Sequence, residues 1–124
     1  MKNLSYSILS SLVVLLFVLL FAGSALAQDP AKVDSNHYKV VFENDDVRVL
    51  RITYGPGEKS VMHYHPDAVA VFLTDTQVKF NLPDGEVIEM ATTEGQAVWT
   101  PAGKHLPQNV GDKPTELILV ELKK

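Results

Sequence analysis

Turn-forming residues punctuate this sequence so closely that no long helix fits beyond its amino-terminal segment. The clusters are Glu43-Asn44-Asp45-Asp46, Gly55-Pro56-Gly57, Pro66-Asp67, Pro83-Asp84-Gly85, Glu94-Gly95, Pro101-Ala102-Gly103 and Gly111-Asp112-Lys113-Pro114. Between them lie short runs rich in β-branched and aromatic residues. These are His37–Phe42, Val47–Tyr54, Ser60–His65, Ala68–Thr74, Gln77–Leu82, Val87–Ala91, Ala97–Thr100, a segment carrying His105, and Thr115–Leu122. Alternation is clearest in Gln77–Leu82, where Val78, Phe80 and Leu82 share one face and Lys79 and Asn81 the other. Pro83-Asp84-Gly85 then reads as a hairpin turn. Some eight or nine short strands joined this way predict an all-β fold, an antiparallel sandwich or barrel. Ala68–Thr74 and Thr115–Leu122 are apolar on both faces. Each therefore meets apolar matter on two sides, which points to a second sheet or to a homodimer.

The chain opens with Lys2, then an unbroken apolar run from Leu12 to Ala22, then Gly23-Ser24-Ala25-Leu26-Ala27. A charged start, an apolar middle and an Ala-x-Ala site form the pattern of a secretory signal. The apolar run is shorter than the roughly 20 residues a membrane span needs. Residues 1–27 are expected to be a cleaved signal peptide, which places the mature protein in the periplasm or outside the cell. Residues 28–36 are polar and aperiodic and are expected to be a flexible leader, with one domain over 37–124. The formal charge is −4, and losing Lys2 makes it one unit more negative. An acidic chain with no basic run is not built for nucleic acid or for an anionic membrane surface. Cysteine is absent. That excludes disulfides, thiolate metal ligation and thiol nucleophiles.

His63 and His65 flank Tyr64 just after the Pro56-Gly57 turn. In a strand, residues two apart point to one face, so both imidazoles aim into one space. Two neutral imidazoles are half of a divalent metal site. Gly57, five residues and His63-Tyr64-His65 resemble the first half of the cupin motif. Gly95, five residues, Pro101-Ala102-Gly103, His105 and Asn109 resemble the second half. The resemblance covers most of the domain and implies a cupin-like β-barrel, or jelly roll, with His63, His65 and His105 as metal ligands. Two departures stand out. The family places a glutamate four or five residues after the second histidine, where this chain has Val69 and Ala70. It also puts two residues between the last glycine and histidine, where only Lys104 lies here. Asp67 and Gln108 are candidates for a fourth ligand. His37 lies outside both halves and is read as structural or superficial. Trp99 and Phe80 are read as core or cavity-wall residues.

The resemblance implies one divalent ion, iron, zinc, nickel or manganese, and imidazole ligands, which suit iron, zinc, nickel and copper alike, do not choose its identity. Three neutral ligands leave its charge uncompensated, which favours a small anionic ligand, a carboxylate for example. The expected function is a metal-dependent enzyme of dioxygenase or isomerase type. The alternative is a non-catalytic module that binds metal or a small molecule. No catalytic acid or base can be named from the sequence.

Overall fold

The computed structural model describes residues 28–124. The expected signal segment, 1–27, lies outside the described residues. Nine strands follow in order: β1 (Tyr38–Glu43), β2 (Val47–Tyr54), β3 (His63–His65), β4 (Ala68–Phe72), β5 (Thr76–Asn81), β6 (Val87–Thr92), β7 (Ala97–Thr100), β8 (Gly103–Asn109) and β9 (Thr115–Leu122). They form a five-stranded sheet, β1-β2-β9-β4-β7, and a four-stranded sheet, β3-β8-β5-β6. Every pairing is antiparallel. The turn clusters named above separate these strands, and Gly57 and Gly95 hold the positive φ (76° and 83°) that their turns require. Gly103 is different. Expected in a turn, it opens β8 and pairs with His65.

The interior belongs mainly to the larger sheet. In β2, Leu50, Ile52 and Tyr54 alternate with outward Arg51 and Thr53. They join Tyr38, Ala68, Ala70, Phe72 and Leu119 in one buried cluster. Between the sheets lies a cavity of about 450 Å³, walled by apolar side chains such as Phe72, Val78, Phe80 and Leu119. The small residue Ala70 on β4 helps keep this space open.

The stretch 28–36 differs from the expected leader. It carries a helical turn, α1 (Pro30–Val33), where no helix was expected. Asp29 caps it, its Oδ1 accepting from the Ala31 N–H at 3.1 Å. Pro30 fills the first helical position, where a missing N–H costs nothing, and is buried. A capping Asp-Pro pair is legible in the sequence. Four residues are too few to show a helical period.

The outer face of the larger sheet accounts for the strands that are apolar on both sides. Phe42 pairs with Val49, Val49 with Val120, Val120 with Val69, and Val69 with Trp99. Five apolar side chains thus form one row across all five strands. Trp99, read as core or cavity wall, is not a core residue: it borders the cavity but belongs to this row and is 54% exposed.

Candidate metal centre

The three histidines converge. β3 turns His63 and His65 inward and Tyr64 outward, as period-2 geometry requires. β8 runs antiparallel beside β3, with His105 directly opposite His63 and Lys104 opposite Tyr64. The shortened Gly103–His105 spacing therefore still delivers His105 to the inner face. One ring nitrogen from each histidine lies within 4.8 Å of the others. The His63 and His65 Nε2 atoms are 2.9 Å apart. Phe80 stacks on the His105 ring, with centroids 5.0 Å apart, and forms the cavity wall expected of it.

The partners behind the rings fix the tautomers. His63 Nδ1 lies 2.8 Å from the Val61 carbonyl oxygen, an atom that can only accept. His65 Nδ1 lies 2.6 Å from Glu121 Oε1, and an ionised carboxylate also only accepts. Both Nδ1 atoms therefore carry hydrogen, so in the neutral form of each ring the Nε2 atom is a lone pair. Two nitrogens 2.9 Å apart need either a shared proton or a bound cation between them. At ligand distances of about 2.0–2.1 Å, one divalent ion reaches both nitrogens. The donor set fits a metal for this reason.

Burial, with neighbouring His65 adding to it, lowers the His63 pKa to about 4. Burial, with His65 and His63 beside it, lowers that of His105 to about 3. Both rings are therefore neutral, with lone pairs available, at physiological pH.

Glu121 is the main residue that sequence reading missed. It is 2% exposed, and its second oxygen accepts from Arg48 Nε at 2.6 Å. Arg48 Nη1 in turn donates to Asp29 Oδ2 at 2.9 Å. Burial pushes the Glu121 pKa up, but the bonds from His65 and Arg48 outweigh it, and the carboxyl stays ionised. A signal was available, since the inward set of β9 is Thr115, Leu117, Leu119 and Glu121. A carboxylate at the end of a buried apolar face demands a partner.

Tyr38 and Tyr54 were also missed as a pair. The Tyr54 hydroxyl donates to that of Tyr38 at 2.6 Å, and the Tyr38 oxygen is 3.1 Å from His63 Nε2. Burial raises both phenol pKa values, so both stay protonated.

The other candidates do not join the cluster. His37 bonds Asp34 and Glu58 and stacks on Tyr54. Asp67 accepts from the Ala102 N–H at 2.8 Å and pairs with Lys124. Gln108 points away from the His105 face and donates to the Gly57 carbonyl. Neither Asp67 nor Gln108 is a fourth ligand here, because each faces outward from its strand or turn. Asn109 is structural, its amide donating to the carbonyls of Gly55 and Lys113 at 3.1 and 2.8 Å.

A barrel of two antiparallel sheets with histidines from two strands at one end of its cavity defines a class. A family model for the cupin domain matches residues 50–121, and the chain belongs to that family. Solved structures agree on the fold. A cupin domain from Bordetella pertussis superposes with a TM-score of 0.65 at 26% identity, over 70% of this chain and 92% of that one. An RmlC-like cupin with a double-stranded β-helix fold from Methanocaldococcus jannaschii gives 0.57 at 22% identity, over 68% and 77%. The polyketide cyclase RemF from Streptomyces resistomycificus gives 0.53 at 16% identity, over 70% and 64%. No curated protein matches the sequence.

Proposed function

We propose that this cupin is a metal-dependent enzyme acting on a small molecule with an anionic or oxygen-donor end and an apolar body. One observation carries the metal: the Nε2 lone pairs of His63 and His65 converge at 2.9 Å, each with its Nδ1 committed to an acceptor. His63, His65 and His105 would hold the ion. The ion would supply Lewis acidity, or oxygen chemistry if it is iron. The chain's own residues supply the rest. An imidazole that ligates a metal brings no charge of its own, and Glu121 is already matched by Arg48. The ion's charge is then left for an anionic ligand. The apolar walls of the cavity exclude water from the body of that ligand.

A non-catalytic binding module is the second reading, favoured by one observation. The cavity lining includes no aspartate or glutamate, and hence no carboxylate general base. Metal analysis of protein purified without an affinity tag, followed by an oxygen-uptake screen, separates the readings. Bound metal without turnover of any anion tried would favour the module.

Two further proposals concern the whole molecule. Export is supported by the Lys2, apolar-run and Ala25-Leu26-Ala27 pattern, and amino-terminal sequencing of secreted protein should begin at Gln28. Homodimerisation is supported by the apolar row from Phe42 to Trp99, whose ends are 53% and 54% exposed. With a negative net charge and no basic run, nucleic acid is not a partner under this proposal.

A further inference from the structure

Tyr38 sits at the start of β1, 3% exposed, beside the histidine cluster. Its ring packs edge-on against His63, with centroids 4.9 Å apart. Its hydroxyl receives the Tyr54 proton at 2.6 Å. The remaining Tyr38 proton is therefore free to point at its other neighbour, His63 Nε2, 3.1 Å away. That nitrogen can accept, because His63 Nδ1 carries the ring's hydrogen.

Metal binding changes this arrangement. An ion that takes the Nε2 lone pair removes the acceptor of a buried hydroxyl. The phenol cannot withdraw, since Tyr54 holds its oxygen and the ring is packed on His63. A buried donor left unpaired is costly. A non-protein ligand on such an ion would offer the phenol a replacement acceptor. We propose that the Tyr38 hydroxyl donates a hydrogen bond to the exogenous ligand of the ion held by His63, His65 and His105, with Tyr54 as its positioning residue. This inference rests on the metal reading. It assigns a proton-bearing group to a cavity that has no carboxylate, and it selects for ligands whose metal-bound atom accepts a hydrogen bond.

The test uses the whole protein loaded with cobalt(II), with azide as the exogenous anion, followed by its visible spectrum. Tyr38→Phe should bind one cobalt as wild type does and lose about tenfold in azide affinity, the lower range for a hydrogen bond to a charged acceptor. Tyr54→Phe should show a smaller loss. Unchanged azide affinity in Tyr38→Phe would overturn the proposal, and would mean that the proton turns elsewhere, for instance to the adjacent Ser60 hydroxyl. Loss of cobalt from a folded Tyr38→Phe would overturn it in another way, making the phenol a ligand. If Tyr38→Phe does not fold, unchanged azide affinity in Tyr54→Phe overturns it instead. A wild type that takes no cobalt is a separate result, which removes the metal reading and this inference together.

Discussion

Glu121 accepts a hydrogen bond from His65 Nδ1 at 2.6 Å across 56 positions of sequence. β9 lies beside β2 in the larger sheet, so its inward carboxylate meets Arg48 of β2 within the sheet and His65 of β3 across the barrel. The glutamate that the family motif places after its second histidine is Val69 or Ala70 here. Negative charge instead reaches the centre through a ligand rather than as one. Glu121→Gln keeps the shape but can no longer guarantee a proton on His65 Nδ1. Its zinc affinity should fall by about 10- to 100-fold, measured by competition with a chromophoric chelator. Glu121→Ala also leaves Arg48 without its nearer carboxylate, and should destabilise the fold by about 3–5 kcal/mol in denaturant melts. Equal zinc affinity in Glu121→Gln and wild type would show that Glu121 only neutralises Arg48.

The three histidines should behave as a unit. His63→Ala, His65→Ala and His105→Ala should each lose stoichiometric metal, because two imidazoles with no carboxylate ligand beside them make a weak site. His37→Ala, Asp67→Asn and Gln108→Ala should each retain one ion per chain, since the side chains they alter bond elsewhere. Added metal should raise the melting temperature of wild type and of these three controls, and leave the ligand variants unmoved. Elemental analysis with thermal melts reads both effects. Retention of metal by His105→Ala would shift the third ligand to another residue.

Much of this was legible because it depends on local chemistry. Turn residues marked the strand ends, and His63-x-His65 declared a shared face by its spacing alone. His105 needed the family pattern, since nothing local says that β8 lies beside β3. Glu121, Arg48 and Tyr38 were not placed, because each acts through a pairing set by sheet order. Glu121 and Arg48 meet because β2 and β9 are neighbours, though 73 positions separate them. Trp99 was placed only in part, at the cavity but not in the core, for a related reason. Its size suggests the core, but strand parity puts it on the outer face with Val69 and Val120.

That outer face gives a prediction on assembly. Val120 lies at the middle of the row and is half-buried in the single chain. Wild type should scatter light as a dimer at micromolar concentration. Val120→Lys places a charge where the second copy would sit and should yield a monomer with its metal content intact. A monomeric wild type would remove the dimer, and a dimeric Val120→Lys would move the contact to another surface.

Proton linkage gives the last prediction, and its sign follows from burial. His63 and His105 have pKa values of about 4 and 3 in the folded protein, against about 6.5 in an unfolded chain. Below pH 6.5 the unfolded chain takes up protons that the folded one refuses. Stability of the metal-free protein should therefore be full above about pH 6.5 and fall as pH drops towards 4, at about 1.4 kcal/mol per unit for each histidine. Glu121 acts in the same direction at the acid end, because its lowered pKa contributes stability that is lost as the carboxylate protonates. Thermal melts in chelator from pH 8 to 4 should trace this fall, and His105→Leu, which cannot protonate, should show a shallower one. Metal affinity should behave differently. His63 and His105, already neutral when folded, lose little zinc to protons until well below pH 6, so release should begin lower than free imidazole would give. Release centred at 6.5 would mean that the histidines are solvated like free imidazole, and that the cavity around them is open to water.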